Sequence, residues 1–366
     1  MNKNIQEIPD GIFAPEDWEY MLLQMVNDHS GVDFNMYRMA TFRRRYLKRM
    51  NMADAQDIRD FVRMLETDQK LLDLLVSDLL IGVTSFFRDG SAFRVLKESV
   101  IEPLFSREGD EAVRVWVAGC SIGMEAYSIA MLMDTLSQEG QRNFTIFATD
   151  ISRSALAKAS KGIYTEKQFS TVPDEYRKYF NEKDGYWRIK RSIRSHMVFS
   201  YHDVLSDPPF AHMDLVSCRN MMIYLKPKAQ SIVLNRLNYS LSTGGFLFLG
   251  SGETPGKKNS NLETIDSRWR IFKKVADIPL AMGIIPSEKY YSKSGSYFSS
   301  TQYPEKGEED ALGRSRSFTS CLEERFFPDC VFIDEDYMIL FINGDMNSYL
   351  SIPSGIPGGS LLAMLP

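Results

Sequence analysis

The sequence predicts an α/β fold, a sheet flanked by helices, preceded by a small all-helical domain. Three observations carry this reading. Residues 15–82 show helical periodicity without an intervening strand pattern. From Val113 onward, short apolar runs alternate with helical stretches. The stretch Val113–Glu125, V-R-V-W-V-A-G-C-S-I-G-M-E, passes from an apolar run through a glycine turn into a helix.

The bulk numbers narrow the classes. A chain of 366 residues has room for two or three domains, each with its own core. Hydrophobic content of 44% with 25% charged residues is that of a globular protein. No apolar run approaches the roughly 18 residues of a membrane span, and Met1-Asn-Lys-Asn-Ile-Gln-Glu-Ile-Pro lacks the apolar core of a signal peptide. The expectation is a cytoplasmic protein without direct membrane insertion. Cys120, Cys218, Cys321 and Cys330 form no C-x-x-C pair, and His196, His202 and His212 lack helical metal-site spacing, so no metal is expected. A net charge of −5 argues against general nucleic-acid binding.

In chain order, Trp18, Leu22, Leu23, Met25 and Val26 begin an amphipathic helix. The segment Arg38–Arg49 carries Arg38, Arg43, Arg44, Arg45, Lys48 and Arg49 with no acid among them. Met39, Phe42, Tyr46 and Met50 form its apolar stripe; Arg38, Arg45 and Arg49 flank the stripe, and Arg44 and Lys48 lie opposite. Such a helix suits an acidic protein, a phosphate or a nucleic acid, and equally a solvated face without a partner. Asp57–Leu65 and Leu71–Ile81 complete the helical unit, Thr84–Gly90 is a loop, and Ala92–Leu104 a further helix. Strands are expected at Val113–Ala118, Thr145–Thr149, His196–Tyr201, Asp214–Ser217, Gly245–Leu249 and Trp269–Lys273. Residues 174–195 read as an insert of one helix and short strands standing off the main sheet. The resulting division is 1–88, 89–277, a Ser/Lys/Gly/Glu-rich linker at 278–317, and a terminal unit at 318–366. In that last unit, Phe326–Gly344 reads as two strands around an acidic turn.

The strand tips carry the polar residues. Gly119-x-x-x-Gly123 turns into the helix at Glu125, where backbone N–H groups can approach a ligand. The next strand ends at Asp150, the position that holds a ribose diol in nucleotide folds. One glycine-rich tip and one acidic tip suggest an adenosine-type ligand; a tight turn with an N-capping Asp is the plainer alternative. Asp203-Val204, Arg219-Asn220 through Tyr224, and Gly244–Glu253 stand at three further tips. In open α/β sheets all these tips face one crevice.

Together, V-A-G-C-S-x-G-x-E-A-Y-S-I-A, A-T-Asp150-I-S, Thr84-S-F-F-Arg88 and C-R-N-x-M-I-Y resemble the CheR family of chemotaxis receptor methyltransferases. The similarity runs through residues 15–275 in the family's order. It implies a Rossmann-like class I methyltransferase sheet with an N-terminal helical domain and a small inserted β-subdomain. It implies S-adenosylmethionine as cofactor, S-adenosylhomocysteine as product, and methyl esters of receptor glutamates as the outcome. Glu125 and Asp150 would hold the cofactor, with Gly119 giving backbone access, and Thr84 and Arg88 would close over its methionine end. Asp203 and Val204 would approach the adenine, Arg219 and Asn220 would line the adenosine pocket, and Tyr224 would face the transferred methyl, with Arg88 and Tyr224 as the catalytic residues. Asp203 stands where the family often has Asn, Gly82 where some members have a cofactor-contacting Asn, and Met124 where Glu is common. The basic residues Arg38, Arg44, Arg45, Lys48 and Arg49 become a docking surface for cytoplasmic receptor domains or other acidic helical proteins. Residues 318–366 resemble the opening of a PAS domain, which implies sensor or kinase partners.

Two rival readings exist. Asp207-Pro-Pro-Phe resembles the signature of amino-group nucleic-acid methyltransferases, but it precedes its strand rather than ending one, as a proline-defined loop would. The other rival is a cofactor-binding fold kept as a non-catalytic regulatory module.

Overall fold

The computed structural model describes residues 18–277, apart from 81, 108, 110, 141–142 and 257–258, together with two strands near the end of the chain. The N-terminal unit holds α1 (Trp18–Ser30), α2 (Met39–Met52), α3 (Ile58–Thr67) and α4 (Gln69–Leu79). Asp57 caps α3 by accepting from the Asp60 amide, and Asp68 caps α4 by accepting from the Lys70 and Leu71 amides. The inward stripes meet in a core built on Leu22, Val26, Phe42, Phe61, Leu65 and Leu75.

A long helix follows, from α5 (Gly90–Leu96) through a π-helical turn at Lys97–Ile101 into α6 (Glu102–Phe105). Then come β1 (Val113–Ala118), α7 (Met124–Gly140), β2 (Phe144–Asp150), α8 (Arg153–Lys161), β3 (Ile163–Thr165), α9 (Glu166–Phe169), β4 (Phe180–Lys183), β5 (Tyr186–Ile189), α10 (Arg191–Arg194) and β6 (Met197–Tyr201). The sheet finishes with β7 (Met213–Cys218), α11 (Pro227–Ser240), β8 (Leu241–Leu249), β9 (Leu262–Asp266) and β10 (Ile271–Lys274). Seven strands lie in the order β6-β2-β1-β7-β8-β10-β9. The first five run parallel, and β10 pairs antiparallel with both β8 and β9. Strand order reverses between β1 and β7, which opens a crevice at their carboxyl ends. Side chains alternate across β1, so Val115 joins the core on one face and Trp116 the core on the other.

Three expectations need correction. β9 was not anticipated: Leu262-Glu-Thr-Ile-Asp266 is intermediate or exposed throughout and lies at the sheet edge, so it lacks a buried strand's apolar run. The inserted subdomain is a separate three-stranded sheet, β3-β5-β4, and it begins at Ile163 rather than at 174. It does not stand off, because Phe169, Tyr176, Tyr179 and Phe180 pack into the core of the main sheet. Phe86 and Phe87 also belong to that core, so the sheet domain takes in residues before 88. The linker at 278–317 lies outside the described residues. Of 318–366 only the antiparallel pair β11 (Cys330–Ile333) and β12 (Ile339–Asn343) is described, two strands where two were expected.

Candidate active site

The turn after β1 is built from backbone. Gly119 has φ +73, and a Cβ there would sit 3.3 Å from Met221 Cγ, so the residue keeps the chain thin at the crevice. The Gly119 and Cys120 amides both donate to the Thr149 carbonyl, at 2.8 and 2.9 Å, tying the tips of β1 and β2 together. Asp150 receives the Ser121 amide on one carboxylate oxygen at 2.7 Å and the Ser152 amide on the other at 2.8 Å. Burial pushes this carboxyl up, against the pull of those amides.

Glu125 starts α7 and is held from β7. Ser217 Oγ donates to its Oε1 at 2.7 Å, and Arg219 Nη1 to its Oε2 at 3.0 Å. The Arg219 Nη2 donates to Asp89 Oδ2 at 2.8 Å, and both terminal nitrogens reach the Arg88 carbonyl at 3.3 Å. Its guanidinium lies over the Phe248 ring at 4.5 Å, and the side chain is 1% exposed. Arg219 therefore clamps Glu125 to the loop that carries Thr84 and Arg88. Its charge is committed to two carboxylates while the residue still borders the cleft.

Asn220 sits in the left-handed region at φ +59, held by Glu253. The Glu253 carboxylate accepts from the amides of Gly250 at 2.7 Å, Asn220 at 3.0 Å and Met222 at 2.8 Å. The Asn220 Oδ1 is buried and meets no hydrogen-bond partner among the described residues. Asp203 accepts from the Leu205 amide and the Ser206 hydroxyl, so the residue closes its own turn. Burial raises both Asp203 and Glu253.

Thr84, Arg88, Gly119, Glu125, Asp150, Asp203, Val204, Arg219, Asn220 and Tyr224 all line one cleft. Arg88 spends one N–H on the Val83 carbonyl at 3.2 Å. Gly82 also borders the cleft, and a Cβ there would meet Ser121 Oγ at 2.8 Å, so a side chain could enter only if that hydroxyl moved. Met124 is buried in the core. The Asp207-Pro-Pro-Phe segment is structural: Asp207 Oδ2 accepts the Asp203 amide, the Pro208 carbonyl meets His202 Nε2, and Phe210 packs on Trp116.

The basic helix is only partly available. Arg43 makes a two-pronged pair with Glu19 at 2.8 and 2.6 Å. Arg49 donates to Asp78 at 2.7 Å, and Arg38 holds the Leu225 carbonyl at 3.2 Å. Those acids come from α1 and α4, which sequence spacing within α2 could not show. Arg44 and Lys48 remain exposed, and Arg45 is half-buried. Sequence reasoning missed Tyr37 and His202 in the cleft wall. Tyr37 carried no local signal, whereas the Gly-Ser-Gly-Glu run at 250–253 had already placed Glu253 at a strand tip.

The cleft fits an adenosyl ligand. The Asp150 carboxylate, anchored by backbone amides on both oxygens, keeps lone-pair capacity for a hydroxyl, and Asn220 offers an acceptor without a partner among the described residues. Residues 82–271 match the CheR methyltransferase SAM-binding domain, and residues 21–80 the CheR methyltransferase all-alpha domain. The chain belongs to the CheR methyltransferase family. It is 32% identical over 247 residues to a chemotaxis protein methyltransferase of Listeria innocua, a match covering 67% of this chain and 92% of that protein. Chemotaxis protein methyltransferase 1 of Pseudomonas aeruginosa is 32% identical over 215 residues, 56% of this chain and 78% of the other. A 104.1 kDa protein from the hypE 3′ region of Rhodobacter capsulatus is 36% identical over 256 residues, 69% of this chain but only 27% of that longer protein. This CheR-family chain is accordingly an S-adenosylmethionine-dependent methyltransferase.

Proposed function

We propose that the chain esterifies glutamate side chains on the cytoplasmic domains of chemotaxis receptors, forming glutamate methyl esters and S-adenosylhomocysteine. The observation that carries this is one cleft uniting Arg88, Glu125, Asp150, Asn220 and Tyr224 on a chain of the CheR family. Asp150 accepts from the ribose hydroxyls. Glu125 and the unpaired Asn220 Oδ1 take polar groups of the same ligand. S-adenosylmethionine, when bound, supplies an electrophilic methyl group. The glutamate substrate is already ionised near pH 7, so no general base or metal is required of the protein. What the residues must supply is alignment and exclusion of water. Arg88 has guanidinium donors left after its bond to Val83, suited to gripping the incoming carboxylate. Tyr224 stands at the cleft wall with its carbonyl pinned by the Arg38 amide at 2.9 Å, which holds its backbone in place.

Arg44 and Lys48 steer the chain onto an acidic helical surface, and residues 318–366 act as the start of a sensor unit. The test is transfer of labelled methyl from S-adenosylmethionine to receptor-containing membranes, followed by mild alkali. Label released as methanol is expected. Base-stable label would replace this reading with nitrogen methylation, and no transfer despite cofactor binding would leave a regulatory module.

A further inference from the structure

The cofactor cleft has a wall that the sheet does not supply. Tyr37, in the connection between α1 and α2, lines it together with Asp150, Asp203 and Tyr224. Its ring packs against the core of the N-terminal bundle and also against the core behind β7 and β8. The backbone on either side is stitched to the Tyr224 segment. Tyr37 and Leu225 form an isolated antiparallel β-bridge. The Arg38 amide donates to the Tyr224 carbonyl at 2.9 Å, and the Lys226 amide to the Met36 carbonyl at 2.9 Å. The Arg38 side chain adds a third bond, Nε to the Leu225 carbonyl at 3.2 Å. Arg38 is also the N-cap of α2, the helix with the exposed cations. Burial first, then the charges of Asp203 and Asp150, push the Tyr37 phenol up, so it stays a protonated donor.

We propose that Tyr37 is a cofactor-binding residue contributed by the N-terminal domain, and that its bridge to Leu225 makes cofactor occupancy and the seating of that domain interdependent. A neutral phenol beside two carboxylates is an O–H donor in a wall otherwise rich in acceptors, suited to a ligand acceptor or to sharing Asp150 with a ligand hydroxyl. If the ligand contacts Tyr37, it favours the arrangement in which residues 36–38 lie against residues 224–226. By reciprocity, seating the domain then tightens the ligand by the same factor. Docking on α2 would thereby be felt at Tyr224, whose carbonyl accepts directly from the N-cap Arg38 amide.

The proposal rests on the S-adenosylmethionine reading of the cleft, and its test separates the two. Calorimetry with S-adenosylhomocysteine compares wild type, Tyr37→Phe, Tyr37→Ala and Asp150→Ala. Tyr37→Phe keeps the packing and removes one donor, so about a five- to tenfold loss of affinity is expected. In parallel, hydrogen exchange follows the Arg38 and Lys226 amides with and without the ligand. The ligand should slow both in wild type and do so less in Tyr37→Ala. Wild-type affinity in both Tyr37 variants overturns the proposal, as does protection in wild type that ignores the ligand. Undiminished binding by Asp150→Ala would instead overturn the reading of the cleft itself.

Discussion

Glu19 in the N-terminal bundle and Asp150 at the tip of β2 are both carboxylates in poorly hydrated surroundings, yet their pKa values move in opposite directions. For Glu19, burial alone would raise the value, but hydrogen bonds from Arg43 and Tyr46 and the Arg43 charge outweigh it and hold it low. Asp150 has amide donors and, among the described residues, no cation, so burial wins and its value rises, as do those of Asp203 and Glu253. A carboxylate that closes its own ion pair serves the fold. One that is buried and only partly satisfied keeps capacity for something else. The same contrast separates the cations: Arg219 is buried between two acids, whereas Arg44 and Lys48 face solvent.

The strongest way to break this comparison is to remove Arg219. Arg219→Met leaves Glu125 and Asp89 without their shared partner, and a loss of about 3–5 kcal/mol in unfolding free energy is expected by urea titration. A loss below about 1 kcal/mol would mean that the clamp is not the structural centre of the cleft.

A smaller effect sharpens the contrast between the two acids. Glu19 has a lowered folded value, so its stabilisation is present above the ordinary glutamate pKa and disappears as pH falls through the folded value. Glu19→Gln should cost about 1–2 kcal/mol near neutrality and nothing once wild type is protonated. Asp150 has the reverse sign: its folded value is raised, so the fold is favoured below the ordinary aspartate pKa and loses that advantage as pH rises through the folded value. Asp150→Asn should therefore flatten a fall in stability with rising pH, where Glu19→Gln removes a gain. Thermal unfolding followed across pH distinguishes the two, and parallel profiles would refute the assignment.

The smallest effect concerns the exposed cations. Arg44→Glu with Lys48→Glu should lower kcat/KM for the receptor by about three- to tenfold at low salt, less at high salt, with S-adenosylhomocysteine affinity unchanged. Equal rates for wild type and the double variant at both salt concentrations would remove α2 from docking. Arg49 is unsuitable for this experiment, since its reversal would also break the pair with Asp78.

Much of the fold is legible in the chain. β1 falls at Val113–Ala118, as its apolar run requires, and β2, β6, β7, β8 and β10 lie within a few residues of their apolar segments. Gly119, Glu125, Asp150, Asp203, Arg219 and Tyr224 come together because strand tips of a parallel sheet converge at the switch point. The edge strand β9 was not legible, because pairing at an edge leaves little hydrophobic pattern.

What the sequence determined by itself is whatever local pattern encodes: periods of two and 3.6, the glycine turn, the capping aspartates, and which residue types stand at each tip. Tertiary structure decided how charges are spent. The acids that occupy Arg43 and Arg49 lie 24 and 29 residues away, and the Glu125–Arg219 pair spans 94. Tyr37 and Leu225 are farther apart in sequence than any of these, and only packing of one domain on the other makes them one wall. Coulomb and hydrogen-bond energies depend on distance in space and on the water excluded there, and neither quantity is written in local spacing.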